Sequence, residues 1–263
     1  MEHAADPTHP RYNSLLKRKM IEDAAKIGML ADSALIAHGR GEAFDYLIGE
    51  RTIESAMDAT KEAAARLCAA ERPVISLNGN VMALAAKPLL RCAAVIGADV
   101  EVNIFYRTPE RMKVLMEYLK DAHVEIADQT PPEFDAEVWQ KMVVEVRLLG
   151  DSPDGRIPSL EGPRANCHSD GILASDVILV PLEDGDRCEA LVEMGKDVIV
   201  VDLNPLSRSA KMAKVTVVDE LCRFAENLYV SCLNPVAPNL NWDNPKILQT
   251  ALEEIIAGAV ESA

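Results

Sequence analysis

The sequence predicts an α/β protein of the Rossmann-like, doubly wound kind, with a mostly parallel sheet preceded by an N-terminal helical segment. Three observations carry that prediction. Short aliphatic runs (Val74–Leu77, Asp176–Val180, Asp197–Val201 and Lys214–Val218) recur along the chain with helix-like segments between some of them. The runs are continuously apolar instead of alternating, as strands buried on both faces are. Each is followed by polar residues, which is where open α/β sheets bind their ligands.

Taken in order, Leu15, Leu16, Met20, Ile21, Ala24 and Ile27 recur at three- and four-residue intervals and predict an amphipathic helix over Arg11–Leu30 that carries Arg18. The stretch 34–46, where Gly39 and Gly41 flank Arg40, reads as a loop before an alanine-rich helix from about Thr52 to Ala70. Val74–Leu77 ends in Asn78-Gly79-Asn80 and leads into a helix reaching about Ile96. Val100–Phe105 is the next strand and Glu110–Asp121 the next helix, with a further strand over Val124–Ala127. From about Gln129 to Ser169 the rhythm lapses into an irregular excursion, to be read either as a lid or as a surface insertion or oligomer contact. The remaining strands follow it. A length of 263 residues suits one α/β domain, with helices over 1–72 and the Rossmann-like core over 73–263.

Composition narrows the function classes. A formal charge of -15 and the lack of a basic stripe argue against nucleic acid. No apolar run is expected to reach the roughly eighteen residues of a membrane span, and Met1–Pro7 has neither the charge nor the apolar stretch of a secretory signal, so a cytoplasmic location is expected. The six cysteines show no C-x-x-C pair and no zinc-ligand spacing, which predicts reduced thiols and no protein metal site; Cys188 is the one to watch.

An acidic protein that handles an anion must reverse its potential at the site, so arginines in loops are informative. Arg40, Arg107, Arg187 and Arg208 are the candidates, with a neighbouring carboxylate as the alternative partner of each, most plainly for Arg187 beside Asp184 and Asp186. For Arg40, the flanking glycines suggest close approach of backbone to an anion. The strand ends offer Asn78 and Asn80, Asn103 with Arg107, Glu183–Arg187, Asp202-Leu203-Asn204 and Asp219-Glu220, residue types that also favour turns and helix caps. Asp202 suits a ribose hydroxyl and Arg208 a phosphate. No P-loop occurs, and the two glycines at 39 and 41 fall short of a dinucleotide fingerprint. His38 is a candidate acid or base, against the structural role a lone histidine more often has.

Five motifs in fixed order, His38–Tyr46, Asn78–Asn80, Glu101–Thr108, Pro181–Arg187 and Asp202–Arg208, resemble the archaeal phosphopantothenate synthetase family over about His9 to Asp219. The resemblance implies a Rossmann-like homodimer that joins 4-phosphopantoate to β-alanine with ATP for coenzyme A synthesis, through an acyl-adenylate, releasing AMP and pyrophosphate. It implies ATP contacts at Arg18, Arg40, Asp202, Leu203, Asn204, Arg208, Ser209, Glu220 and Leu221. Arg18, Arg40 and Arg208, with Mg²⁺, are expected to carry the charge of phosphoryl attack. Arg107 with Asn78 and Asn80 is the candidate site for the phosphate of 4-phosphopantoate, and Asp184, Asp186 or His38 the acceptor of the amine proton. Three positions depart from the family pattern: Ser209 and Glu220 stand where Thr and Asn are usual, and Lys19 follows Arg18 where Glu is common. A carboxylate at 220 would repel phosphates, which favours a backbone or ribose contact there. Two other readings compete with the ligase. A non-catalytic adenylate sensor needs only one polar tip, and a kinase needs a phosphate loop.

Overall fold

The computed structural model describes residues 6–261. Of the N-terminal stretch Met1–Pro7, residues 1–5 lie outside the described residues. The strands in chain order are β1 (Val74–Leu77), β2 (Asp99–Val102), β3 (Leu148–Leu149), β4 (Gly155–Arg156), β5 (Asn166–Cys167), β6 (Val177–Pro181), β7 (Asp197–Val201) and β8 (Val215–Val217). Six form one sheet in the order β3-β2-β1-β6-β7-β8, all pairings parallel, while β4 and β5 pair antiparallel beside it. Counted within that sheet alone the order is 3-2-1-4-5-6, so winding reverses between β1 and β6. The Rossmann-like prediction holds.

The helices are α1 (Tyr12–Lys26), α2 (Ser33–Leu47), α3 (Glu54–Ala69), α4 (Gly79–Ile96), α5 (Pro109–Ala127), α6 (Ala136–Glu145), α7 (Gly185–Glu193), α8 (Arg208–Met212), α9 (Leu221–Leu233) and α10 (Asn244–Glu261). Alternate strand residues feed two cores. Ile75, Leu77, Leu179, Ile199 and Val201 pack beneath α3, α4 and α9, and Val74, Ile178, Val180, Val198 and Val200 pack on the other face against α7 and the segment around Ile157–Ile172. Alanines at 59, 63, 85 and 93 fill the first core, where small side chains let helix axes approach.

Four expectations are corrected. Residues 34–46 form no loop; they belong to α2. Two interior glycines cost a helix about 1 kcal/mol each, but tertiary anchors override that: Glu42 accepts from Ser14 at 2.5 Å and from Arg11 at 2.9 Å, and Asn80 donates to the Ala34 carbonyl at 3.0 Å. Val124–Ala127 is the last turn of α5, continuing the buried series Leu115, Leu119, Ala122, Ile126 at helical spacing. The excursion at 129–169 is partly regular: it contains α6, clamped by the Trp139 indole donating to the Ile126 carbonyl at 2.7 Å, and the sheet-edge strand β3. Finally, α4 is long and apolar enough by length and composition to cross a membrane, but 67% of it is buried as the central core helix.

That helix kinks at Ala85, with φ of −141°, three residues before Pro88. Proline has no N–H to give the carbonyl of Leu84, and the Cys222 thiol of α9 contacts that oxygen instead at 3.5 Å. Another thiol contact joins Cys92 to the Ala225 carbonyl at 3.7 Å. The cysteines are all free. Cys188 is fully buried, its thiol 3.6 Å from the Ser209 carbonyl, and burial pushes its pKa up to about 12. At pH 8 roughly one Cys188 in ten thousand is then thiolate. A thiol reagent at that pH is expected to leave Cys188 unlabelled in the folded protein and to label it after denaturation, as peptide mapping would show.

Arg223 fastens α2 to α9, pairing with buried Asp45 and, at 2.8 Å, with Asp219, whose side chains are 8% and 0% exposed. Arg223→Ala leaves both carboxylates unpaired in the interior. The expected loss is about 3 kcal/mol of unfolding free energy in a urea titration, with faster limited proteolysis of α2.

Candidate active site

A cavity of about 450 Å³ opens at the carboxyl ends of β1, β2, β6, β7 and β8, at the winding reversal, and is covered by α1 and α2. That volume is within the range of small-molecule sites. It is built at its base by Asn78. The Asn78 amide donates to the carbonyls of Pro181 and Leu182 at 3.0 and 3.1 Å, tying the two diverging strands, while its own side-chain oxygen caps α4 by accepting from Val81 N–H at 3.1 Å. Gly79 follows because a Cβ there would meet Leu30 at 2.9 Å. Two more polar strand ends are caps as well as wall, Asp184 capping α7 and Glu220 capping α9, while Ser207, outside the wall, caps α8.

One side of the cavity is lined by Lys17, His38, Arg40, Glu42, Leu203, Glu220 and Leu221. Arg40 projects from α2, not from a loop, and neither Gly39 nor Gly41 has a positive φ, so its guanidinium and not the local backbone faces an incoming anion. Among the described residues Arg40 has no hydrogen bond or salt bridge, though its charge reaches Asp202. Arg18 is on the neighbouring helix, paired with Glu42 at 2.9 Å. Burial raises the Glu42 carboxyl, but hydrogen bonds from Arg18 and Ser14 bring it below the ordinary carboxylate range. Lys17 was not singled out in the sequence, where it is one more charge on an amphipathic helix. It pairs with Glu220 at 2.6 Å and so neutralises the departure that looked hostile to phosphate; the unexplained carboxylate at 220 was the signal that a cation had to be near.

The structure does not bring all the expected nucleotide residues to the cavity wall. Leu203, Glu220 and Leu221 line it; Asp202, Asn204, Arg208 and Ser209 flank it. Asp202 closes a turn on itself, accepting from Asn204 N–H at 2.9 Å and from the Ser207 hydroxyl, and burial pushes its carboxyl up. Arg208 pairs with Asp186 at 2.7 Å and with Glu189, its stem lying over Gly185, where a Cβ would meet it at 2.9 Å. Ser209 is buried and donates to the Glu183 carbonyl at 2.8 Å.

The other side is lined by Asn78, Asn80, Ile104, Phe105, Tyr106, Arg111, Arg164, Glu183 and Asp184. Arg107 is not on this wall: it donates to the Gly150 carbonyl. Arg187, offered as a loop cation, is a fully buried member of α7 bonded to Glu183 and to the Ser76 hydroxyl, the latter at 2.9 Å. Its partner is Glu183, not the adjacent aspartates. Glu183 also holds Arg164, at 2.7 Å, and Arg164 reaches Asp184 at 2.6 Å. Burial opposes the charged forms of both Glu183 and Arg187, and their mutual attraction opposes burial. Arg164 is a site residue that sequence reasoning missed, because it comes from the irregular excursion; suspicion that this stretch approaches the site was the only signal. Among the described residues no three His, Cys, Asp or Glu side chains are grouped to hold a metal ion.

The chain matches the family described as phosphopantothenate/pantothenate synthetase over residues 55–257. It is 50% identical over 216 residues to the 4-phosphopantoate–beta-alanine ligase of Thermococcus onnurineus, covering 82% of this chain and 75% of that one. The protein of the same name from Methanosarcina mazei is 44% identical over 255 residues, 94% of this chain and 92% of the relative. With a match of this extent and relatives of this coverage, the chain belongs to the phosphopantothenate/pantothenate synthetase family.

Proposed function

We propose that the chain is an ATP-dependent ligase that joins 4-phosphopantoate to β-alanine to give 4-phosphopantothenate in coenzyme A biosynthesis, with AMP and pyrophosphate as products. The observation that carries the reading is one cavity with two cationic ends at the winding reversal: Arg40, Lys17 and the neighbouring Arg18 at one, Arg164 and Arg111 at the other. A nucleotide sensor needs one such end; two suit two anionic substrates meeting. Family membership supplies the reaction.

In this reading ATP enters between α1, α2 and the ends of β7 and β8. Arg40 meets its phosphates directly, and Arg18 and Arg208 join by exchanging their carboxylate partners for phosphate oxygens. The 4-phosphopantoate carboxylate attacks the α-phosphorus, pyrophosphate leaves, and the β-alanine amine then opens the acyl-adenylate. Positive charge around the phosphorus lowers that barrier more than it stabilises bound ATP, because the negative charge grows during attack. Among the described residues no cluster of three ligands forms, and Mg²⁺ fits here as an ion carried by the phosphates, with a carboxylate such as Asp184 from this chain; it would neutralise the leaving pyrophosphate. For the second substrate, Asn80 stays in the reading; Asn78, both of whose amide donors are spent on Pro181 and Leu182, serves as its scaffold, and Arg111 and Arg164 take the place given to Arg107. Arg111 lines the cavity with no carboxylate partner among the described residues.

A homodimer in the cytoplasm is part of the same proposal. The outer face of α2 exposes Leu35, Ile36 and Tyr46 at 45%, 68% and 63%, with nothing within 4 Å of where a Gly39 Cβ would be. An apolar stripe with a glycine suits close packing of a second helix.

Mixed with ATP, Mg²⁺, 4-phosphopantoate and β-alanine, the protein is expected to release AMP and pyrophosphate; ADP as product would exclude the adenylate route. Arg40→Ala is expected to lower kcat/KM for ATP about a hundredfold in a steady-state assay. Arg111→Ala is expected to raise the KM for 4-phosphopantoate while leaving that for ATP in place.

A further inference from the structure

Opening an acyl-adenylate with β-alanine requires a base, because the amine is an ammonium at neutral pH and has no lone pair until a proton leaves. Among the described carboxylates and imidazoles that line the cavity or adjoin it, one alone is unengaged. Asp45 pairs with Arg223, and Asp202 accepts from the Asn204 N–H and the Ser207 hydroxyl. Glu42 accepts from Arg18 and Ser14, and Glu220 is paired with Lys17 while capping α9. Glu183 is shut between Arg164 and Arg187. Asp184 accepts from Arg164 and from the Arg187 amide; burial raises it, but those contacts bring it below the usual carboxylate range. Asp186, outside the wall, is exposed and paired with Arg208.

The one left is His38. It lines the cavity from α2, one turn from Gly41, and among the described residues neither ring nitrogen has a hydrogen-bond partner, Nε2 being the one shielded from solvent. An imidazole left unpaired in a cavity wall has bonding capacity that a ligand can complete. We infer that the His38 imidazole takes the proton from the β-alanine ammonium, an inference that rests on the ligase reading above.

The step balances. The ammonium gives one proton to the neutral imidazole; the freed nitrogen lone pair forms the C–N bond at the acyl carbon; the bond from that carbon to the AMP oxygen breaks and AMP leaves with its electron pair. The second nitrogen proton departs to water after attack. The imidazole must be neutral beforehand, and its surroundings arrange this. Burial holds the His38 pKa below its ordinary value; Glu42 on its own helix and Glu220 at the start of α9 pull upward, and Arg18 and Lys17 on α1 push down. Those four are the charged groups that face it from the elements packed around it. A base of this kind contributes about 10²–10⁴ in rate.

The test separates the half-reactions in the intact protein with His38→Gln and His38→Asn. ATP–pyrophosphate exchange driven by 4-phosphopantoate needs no amine and is expected to persist, while transfer to β-alanine near neutrality falls about a hundredfold or more. Wild-type transfer should be nearly flat from neutrality upward. In both variants it should climb about tenfold per pH unit as free amine accumulates, approaching the wild-type rate in alkali. Equal loss of both half-reactions, transfer that survives substitution, or a variant rate that does not respond to pH would each overturn the role of His38. Absence of exchange in the wild-type protein would instead overturn the adenylate reading, and the His38 assignment with it.

Discussion

Where a parallel sheet reverses its winding, two neighbouring strands send their chains to opposite faces and leave a gap that no helix fills. The cavity and the candidate site residues are arranged around that gap. Asn78 is what makes it tolerable: one side chain donates twice across to β6 and accepts once from α4, so the strand ends can part without leaving carbonyls or a helix amide unpaired. The cavity follows from the topology; its chemistry follows from which charged groups are then set around the rim.

Those groups come largely cancelled. Arg18 is held by Glu42, Arg208 by Asp186 and Glu189, Arg164 by Glu183 and Asp184, Lys17 by Glu220. Uncompensated cations packed around a half-dry cavity would repel one another and destabilise the fold. Their carboxylate partners avoid this, and in the proposed reading they are what incoming phosphates displace. Among the described residues, two cavity cations have no carboxylate partner: Arg111, bonded to backbone carbonyls, and Arg40, which has no hydrogen bond.

The fold was legible because its strands are hydrophobic without interruption and their tips are polar, a pattern that a sheet covered on both faces imposes directly. Misreadings arose where tertiary contacts overrule local preference. Two glycines disguised α2, which Asp45, Glu42 and the Ala34 carbonyl hold in helical form from outside. The β-branched pair Val124 and Ile126, alternating with Glu125 and Ala127, disguised the end of α5. In the site, strand-end residues were legible as a class but not by role: Asp202 is bonded within its own loop, Ser209 donates to the Glu183 carbonyl beyond β6, and Arg187 belongs to the core. Arg164 and Lys17 were illegible for the opposite reason, since each acquires meaning only from a partner far along the chain.

The same separation explains why turn chemistry and ligand chemistry are hard to tell apart at such an edge. Asn, Asp and Glu after a strand cap the next helix, and a helix N-terminus is also where an anion is favoured. Asp184 and Glu220 occupy two such termini with their own carboxylates. A phosphate cannot share those amides, so binding has to come from side chains reaching in from elsewhere, which is what α1, α2 and the 129–169 segment provide. In the proposed reading the cover of the site is therefore part of its binding apparatus: with no P-loop in the sequence, the sheet supplies the position and the flanking helices supply the charge.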